Sequence, residues 1–391
     1  MHLAMSAYVL LGVAAFPFVY YLLALFSSWR FFRNGTPSNR SPCGFAPPVS
    51  ILKPVRGLDP DAYQNFASFC RQDYPDYEII FCVGSTEGAV ISALERLQKE
   101  FPERRIRILF GSGRVASNDK VAKLARLANE AQHEYLVISD SDVRVRPDYL
   151  RSIVAPLADP TLGAVTCFYV STGEKTFAEN LQTVGMLSDF YAGLLVARQI
   201  DGVKFALGPT IATTRKHLAG FGGYQKIENR PADDLLVGRL IAEQGYRVEL
   251  LPYTVETVAD YQSITELLEK RLRWLVVMRH MRPWGHAGLL FTQGLAWCVV
   301  AVAVHPSIAT AFSFFGLYFA LRVGMLWTIG AWGLQRTRIG WKDLPLILAW
   351  DGAAFAMWLI SFARNTVRWR GGEYYIRDGM LVPSASHPSA S

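Results

Sequence analysis

Long apolar runs lie towards both ends of the chain, and shorter ones alternate with polar segments between them. Residues 6–29 contain no charged side chain, and about 20 such residues are enough for a helix that crosses a hydrocarbon layer about 30 Å thick. We therefore predict an N-terminal transmembrane helix over residues 1–30. A secretory signal peptide is the alternative, but the run is long, has no basic segment before it and lacks a convincing cleavage site.

A second apolar region covers residues 289–334. It is too long for one crossing and is interrupted at His305 and Pro306, so it predicts two helices joined by a tight turn. A last apolar stretch, residues 344–362, carries Asp351 near its middle. Two to three C-terminal transmembrane helices are therefore expected.

Basic residues next to these runs predict their orientation. Arg30, Arg33 and Arg40 follow the first run, which by the positive-inside rule places the next segment in the cytoplasm. Arginines also follow residue 362, where simple alternation would place the chain outside. The last stretch therefore crosses against the charge rule, lies in the interface or re-enters, and the sequence leaves all three open.

The middle of the chain, from residue 49 to residue 261, alternates between two patterns. Short apolar runs such as VSILKP, YEIIFCVG, RIRILF and EYLVI alternate with helical patterns near residues 63–71, 89–101 and 120–132. This alternation predicts an α/β domain with a mostly parallel sheet and helices on both faces. Ligands of such sheets bind at the carboxyl ends of the strands, so residues at those ends are the candidate site residues. Residues 177–196 form a separate amphipathic helical pattern, which predicts either a buried core helix or an interfacial one.

Composition agrees with this division into membrane and globular parts. Hydrophobic residues make up 51% of the chain and aromatic residues 13%, and the mean hydropathy is +0.17, which is high for a soluble enzyme. The net charge is +7, but the basic residues do not gather into one stripe interleaved with aromatic residues. No nucleic-acid partner is therefore expected.

Two aspartates, Asp140 and Asp142, directly follow the apolar run YLVI. Because alternate residues of an extended strand end face the same side, both carboxylates can face one divalent ion that bridges a diphosphate. Hard oxygen ligands select Mg²⁺ or Mn²⁺ over zinc. Taken alone, this motif also fits a solvated turn.

Two later elements favour the metal site over the turn. Asp233 and Asp234 form a second acidic pair, and residues 271–274 have the sequence RLRW. An inverting sugar transfer needs a metal, a carboxylate that takes the acceptor proton and a cation for the departing diphosphate. The structural alternatives are an acidic first turn of a helix for Asp233 and Asp234 and a basic-aromatic membrane anchor for RLRW.

These segments together resemble the ceramide glucosyltransferases. SILKPVRGLD at residues 50–59 is the most family-specific piece, and SDSD, ADD and RLRW match the D, DxD, D, (Q/R)xxRW pattern of the processive-type GT-A glycosyltransferases. The likeness extends from about residue 48 to residue 282 and implies a GT-A fold. The hopanoid-lipid glycosyltransferases, a sibling group, share these features, so the acceptor could be a ceramide or a polycyclic lipid.

The resemblance implies roles for the matching residues. Asp234 would be the catalytic base, and Asp140 and Asp142 would hold the nucleotide and the metal of the donor. The uridine end of the donor would be lined by Lys53, Pro54 and Arg56. The diphosphate and the acceptor would be contacted by Lys270, Arg273 and Trp274.

Two positions depart from the family pattern. The aspartate expected after the second strand is absent from CVGSTEG, where Ser85 and Glu87 are the nearest polar residues, and this puts uracil recognition in doubt. Lys270 stands where the pattern has glutamine or arginine, and it lacks the acceptor oxygen of a glutamine amide. Neither change removes the base or the metal pair.

The sequence therefore predicts an inverting glycosyltransferase that uses Mg²⁺ or Mn²⁺. It would move a hexose from a UDP-sugar, with UDP-glucose as first choice, to the primary hydroxyl of a membrane lipid. The alternatives are a hopanoid-lipid N-acetylglucosaminyltransferase, a processive polysaccharide synthase and a degenerate membrane scaffold. We expect a multi-pass protein of a bacterial inner membrane, and its oligomeric state stays open. The expected parts are the helix over 1–30, a cytoplasmic GT-A domain over 31–285, a membrane region over 286–365 and a tail over 366–391.

Overall fold

The protein is described by a computed structural model, which covers most of the chain. The described residues are 2–35, 44–84, 86, 88–114, 116–172, 176–258, 263–335, 340–369 and 372–384. Ser85, Glu87 and Arg40 lie outside them. The predictions about uracil recognition at CVGSTEG therefore stay predictions.

Two consecutive helices form the N-terminal apolar segment, α1 (His2–Ala14) and α2 (Phe16–Arg33). Tyr21 of α2 is buried. Its hydroxyl donates to the carbonyl of Thr292 at 2.9 Å and accepts from the N–H of Gly294 at 3.0 Å. Because α2 is part of the packed interior, the structure favours a membrane helix over a removable signal peptide.

The middle of the chain forms one eight-stranded mixed sheet in the order β3-β2-β1-β4-β7-β6-β8-β5. The strands are β1 (Val49–Pro54), β2 (Tyr77–Val83), β3 (Arg105–Phe110), β4 (Tyr135–Ile138), β5 (Val143–Arg144), β6 (Leu162–Thr172), β7 (Ile211–Thr214) and β8 (Arg247–Val258). The first four strands in the order are parallel, as are β6 and β8, whereas β7 pairs antiparallel with both of its neighbours and β5 pairs antiparallel with β8. The mostly parallel sheet is thereby confirmed.

Helices cover both faces of this sheet. Along β2, Ile79 and Phe81 face one packed layer, and Ile80 and Cys82 face the other. Both sets are buried, which explains why the strand, apart from the buried Glu78, is apolar rather than alternating. The helices of this part are α3 (Ala62–Cys70), α4 (Ala89–Glu100), α5 (Asp119–Glu130), α6 (Tyr149–Val154), α7 (Phe177–Gly185), α8 (Tyr191–Asp201), α9 (Arg215–Gly220), α10 (Asp233–Glu243) and α11 (Ile264–Met281), with 3₁₀ turns at Ala155–Ala158 and Tyr224–Ile227.

The amphipathic segment predicted over 177–196 is helical, but it is interrupted. A capping box starts α7, since the Thr176 hydroxyl accepts from the Glu179 N–H at 3.2 Å and the Glu179 carboxylate accepts from the Thr176 N–H at 3.0 Å. A π-helical turn, Met186–Phe190, then joins α7 to α8. The regular apolar spacing does not indicate this turn, because one inserted residue shifts the helix face without breaking the apolar run.

Three helices of the described residues are long and apolar enough to cross a membrane, at Met5–Arg33, Ile308–Gly333 and Trp341–Ala363. The remaining helices are α12 (Pro283–Gly288), α13 (Gly294–Val304), α14 (Ile308–Leu326) and α15 (Leu344–Ala363), with a π-helical end at Trp327–Gly333 and 3₁₀ turns at Leu289–Thr292 and Trp341–Asp343. The predicted break at His305 and Pro306 is confirmed. The helix before it differs from prediction, because α13 has only 11 residues and a 57° bend separates it from Pro283–Thr292.

Helix α15 packs along α7 and then along α11. A Cβ atom at Gly185 of α7 would lie 2.2 Å from the Trp350 ring, so the two helices are in close contact. At the other end, Arg279 of α11 donates to the carbonyls of Phe362 and Arg364 at 2.6 and 3.0 Å. The first half of α15 thus contacts α7 and its end contacts α11. The crossing, interfacial and re-entrant arrangements of this stretch stay predictions.

The C-terminal segment forms a small antiparallel sheet of β9 (Thr366–Trp369), β10 (Gly372–Arg377) and β11 (Met380–Pro383). Val367, Ile376 and Leu381 pack in one cluster with apolar residues of α11. The Leu381 N–H donates to the Asn229 carbonyl at 2.7 Å, four residues before α10 begins. This sheet therefore supports two elements of the site described next.

Candidate active site

A buried lysine of β1 stabilises the turn after β4, which carries Asp140. Lys53 of β1 is fully buried, donates to the Asp140 carbonyl at 2.6 Å and lies 3.8 Å from the centroid of the Phe69 ring. Burial lowers the pKa of Lys53 to about 7, although Asp142, Asp140 and Asp59 partly offset this effect. The observed contacts fix the strand end, and the predicted contact of Lys53 with the nucleotide stays a prediction.

Asp234 is oriented by two backbone N–H groups at the start of α10. One of its carboxylate oxygens accepts from Gly208 at 2.9 Å and the other from Leu235 at 2.8 Å. Ala232, just before the helix, has the left-handed backbone conformation with φ 54°, which is costly for a residue with a Cβ atom. The backbone is thus bent sharply where the acidic pair enters the site.

Gly208 brings the two acidic motifs together. A Cβ atom at this position would lie 3.2 Å from Oδ2 of Asp140 and 3.2 Å from Oδ2 of Asp234. Both carboxylates therefore approach the backbone where there is no side chain. The sequence analysis named both aspartates but missed Gly208, whose only local sign is the Gly-Pro pair that starts a turn.

A second glycine sets the distance between α10 and this loop. A Cβ atom at Gly238 would lie 2.2 Å from the carbonyl carbon of Phe205 and 2.4 Å from the backbone nitrogen of Ala206. Backbone atoms cannot rotate away, so the helix would have to move and take Asp234 with it. We expect Gly238→Ala to cost about 1–3 kcal/mol of unfolding free energy and to impair turnover. Thermal unfolding in detergent measures the first effect.

Gly316→Ala is the matched control for this substitution. Gly316 also lies within a helix, but nothing lies within 4 Å of a Cβ atom built there, so stability should be unchanged or slightly higher. Equal melting temperatures for the two variants would contradict the close approach at Gly238.

Lys120 lies between the two acidic motifs, and the sequence analysis missed its role. Its ammonium is 2.6 Å from Oδ1 of Asp140 and 3.3 Å from Oδ2 of Asp233. Burial by itself would lower the pKa of Lys120, but Asp140, Asp233 and Asp234 outweigh burial and raise it. The lysine therefore stays protonated. The sequence indicates only that Lys120 lies near the ligand-binding edge, since the helix that follows β3 begins at the carboxyl edge of the sheet.

Two carboxylates in this cluster have raised pKa values. Burial, and then the neighbouring Asp140, raises the pKa of Asp142 to about 6 against the partial offset of Lys270 and Lys53. Burial, and then Asp233, raises the pKa of Asp234 to about 6. Groups with such shifts are typical of functional sites because a ligand or a reaction step can relieve them.

A further aspartate joins the cluster from the segment KPVRGLD. The Ser141 hydroxyl, between Asp140 and Asp142, donates to the carboxylate of Asp59. This contact ties the loop after β1 to the DxD turn. Of the residues predicted for the uridine end, Pro54 is buried at the end of β1 and Arg56 is exposed in the next loop; their contacts with a nucleotide stay predictions.

Helix α11 supplies the third predicted element. Lys270, Arg273 and Trp274 are three and four residues apart, so they share one side of the helix. Lys270 lowers the pKa of Asp142 against burial and Asp140, which places it beside the cluster. The Trp274 ring packs on the Phe190 ring of the π-helical turn, with centroids 5.8 Å apart. The structure thus brings the acidic motifs and α11 to one place.

The family described as Glycosyl transferase family 21 matches residues 9–382. The chain belongs to that family. A Caenorhabditis elegans protein, Ceramide glucosyltransferase 3, is 22% identical over 354 residues, which is 86% of this chain and 74% of the relative. The Beta-monoglucosyldiacylglycerol synthase of Synechocystis is 24% identical over 262 residues, 64% of this chain and 52% of the relative.

A solved structure shows the same fold. Mannosyltransferase PcManGT from Pyrobaculum calidifontis, in complex with GDP-Man and Mn²⁺, is superposed with a TM-score of 0.57 at 20% identity, covering 90% of this chain and 99% of that one. The GT-A fold expected from the sequence is thereby confirmed, and the chain is a family 21 glycosyltransferase.

Proposed function

We propose that this family 21 glycosyltransferase moves a hexose from a UDP-sugar, with UDP-glucose as first choice, to the primary hydroxyl of a membrane lipid. The observation that carries the proposal is the convergence of Asp140 and Asp234 on Gly208. The site lies beside α11, which packs on the apolar helix α15. The names of the relatives support a lipid acceptor, since one is a ceramide glucosyltransferase and another makes a glucosyldiacylglycerol. A hopanoid-type polycyclic lipid remains the second candidate acceptor.

Asp234 is the proposed general base, and its orientation by two backbone N–H groups supports this role. Its carboxylate would take the proton of the lipid hydroxyl while the hydroxyl oxygen forms a bond to the anomeric carbon. The bond from that carbon to the diphosphate oxygen breaks, the configuration inverts and UDP leaves. A pKa raised to about 6 by burial makes this carboxylate a better base than an ordinary aspartate near neutral pH.

Asp140 and Asp142 fit a divalent ion that the donor helps to hold. Among the described residues, no three His, Cys, Asp or Glu side chains form a metal site of their own. Magnesium sites in nucleotide-binding enzymes usually combine one or two carboxylates with phosphate oxygens, and manganese prefers the same oxygen ligands, so the aspartate pair suffices. The ion would neutralise charge on the leaving diphosphate. Lys120 and Lys270 provide positive charge from the protein beside the same carboxylates.

Product analysis tests the proposed function. Membranes that contain the chain would be incubated with labelled UDP-glucose or UDP-N-acetylglucosamine and extracted lipids, and the products identified by mass spectrometry. One sugar on a lipid is the expected product. A polymer would support a processive synthase, and absence of both transfer and donor hydrolysis would support a degenerate scaffold.

The proposed setting is the cytoplasmic face of a bacterial inner membrane, with residues 31–285 as the catalytic domain. Because the C-terminal sheet packs on α11, the tail should lie on the same side as this domain. Protease added to inside-out vesicles should remove a C-terminal tag and degrade the domain. Removal of the tag from right-side-out vesicles would contradict this arrangement.

A further inference from the structure

Arg271 of α11 carries a buried charge that the described residues leave unpaired. Its exposed fraction is 7%, and its Nη2 atom is buried without a hydrogen-bond partner. Within the described part of the chain, no carboxylate oxygen lies within 4.0 Å of it. A buried guanidinium with neither a counter-ion nor a full set of acceptors is unfavourable, so its retention calls for a partner.

Three aromatic rings surround this guanidinium. Its central carbon lies 4.6 Å from the Trp274 ring centroid, 5.1 Å from that of Trp350 and 6.0 Å from that of Phe190. Trp350 is buried, whereas Phe190 and Trp274 are only partly buried. We call these four residues the Arg271 cage. A ligand that displaced the edges of the two outer rings would meet the guanidinium.

The floor of the cage is fixed by an ion pair inside the helical bundle. Arg322 of α14 donates from Nε to Asp351 of α15 at 2.9 Å and also donates to the Ser188 carbonyl in the π-helical turn. Trp350 donates from its indole N–H to Asp189 of the same turn at 3.3 Å. Turns of this kind are frequent at functional sites, and here the turn presents Phe190 to the cage.

The position of the cage separates it from the donor end of the site. Lys270 acts electrostatically on Asp142 from α11, and the next residue of an α-helix points about 100° away around its axis. The Arg271 guanidinium accordingly lies against Trp350 of the apolar helix α15 and Phe190 of the π-helical turn. Trp274 belongs to both neighbourhoods, since the Lys270 ammonium lies 6.0 Å from its ring centroid and the Arg271 guanidinium 4.6 Å.

We propose that the Arg271 cage binds the polar head of the acceptor lipid, through a hydrogen bond from the guanidinium to a head-group oxygen next to the reactive hydroxyl. This inference rests on the proposed lipid acceptor. The rings would contact the apolar part of the molecule, and the hydroxyl would extend past Trp274 towards Asp234. The chemistry fits an uncharged head rich in hydroxyl or amide oxygens, held by a charge-assisted hydrogen bond.

Arg271→Met tests the proposal, because methionine fills the space and removes the buried charge. The apparent KM for the lipid should rise roughly 10-fold or more, as expected for the loss of one hydrogen bond from a charged group. The KM for the UDP-sugar and the rate of donor hydrolysis without acceptor should not change. The melting temperature should stay the same or rise, since an unpaired buried charge is removed.

Arg198→Gln is the matched control, since its guanidinium also lies over an aromatic ring, that of Phe31 at 4.8 Å, but already has Glu249 at 3.7 Å. It should leave the lipid KM unchanged. An unchanged lipid KM in Arg271→Met would overturn the proposal, as would a lower melting temperature with both KM values altered alike. If the wild-type chain glycosylates no lipid, the proposed function itself fails.

Discussion

Asp234→Asn is expected to lower kcat roughly 10²–10⁴-fold, the usual contribution of a placed general base. An asparagine amide cannot take the proton of the acceptor hydroxyl, but it has nearly the same shape and can still accept from Gly208 or Leu235, the two N–H groups that orient Asp234. The affinity for UDP should therefore change little. Initial rates with donor and lipid, together with calorimetric titration of UDP, measure the two effects separately.

Asp233→Asn is the control for this variant, since it removes a carboxylate one residue away. Asp233 raises the pKa of Asp234, after burial, so its removal should move the acidic limb of the pH–rate profile to lower pH. In the wild type that limb should lie near pH 6, because the base form of Asp234 is lost as the pH falls through its pKa. Wild-type turnover in Asp234→Asn, or a limb unmoved in Asp233→Asn, would contradict the assignment of the base.

Lys120→Met is expected to be the most destabilising single change in the site. It removes the cation that lies 2.6 Å from Asp140 and 3.3 Å from Asp233 and leaves both carboxylates without that partner. Breaking a buried pair by removing one member typically costs about 3–5 kcal/mol. The lysine also lowers the pKa of Asp234 against burial and Asp233, so the acidic limb of any remaining activity should move to higher pH.

The double variant Lys120→Met with Asp140→Asn separates lost pairing from lost packing. If the lysine stabilises through its charge, removing the carboxylate as well should restore part of the stability. Thermal unfolding of the two single variants and the double variant gives the interaction energy. Strictly additive losses would show that the ion pair contributes nothing and that only packing was lost.

The sheet and the acidic motifs could be predicted because their signals are local. The runs that became β1 to β4 are short and mostly apolar, and Asp140 and Asp142 come just after the fourth run. Gly208 and Lys120 could not be predicted in the same way. Their roles come from contacts with residues 20 to 113 positions away, such as the ion pair of Lys120 with Asp140 and the hydrogen bond from Gly208 to Asp234, and nothing in their own neighbourhoods indicates those partners.

The C-terminal apolar stretch makes contacts that the charge rule does not indicate. The charge rule assumes that each apolar helix crosses, and under that assumption the arginines after residue 362 were on the wrong side. In the structure α15 packs along α7 and α11, so Arg279 can bond the carbonyls of Phe362 and Arg364. Asp351, which was unusual for a crossing helix, is paired with Arg322, a residue that the sequence analysis did not single out.

The central claim is that the DxD turn holds the diphosphate of the donor through a divalent ion. The most direct measurement is calorimetric titration of UDP, with and without Mn²⁺, into the wild-type chain and into Asp142→Ala. Mn²⁺ should strengthen UDP binding at least roughly 10-fold in the wild type, because an ion bridges carboxylate and phosphate oxygens, and should have little effect in the variant. Equal binding of UDP with and without Mn²⁺ in the wild type, or the same gain in Asp142→Ala, would contradict the claim.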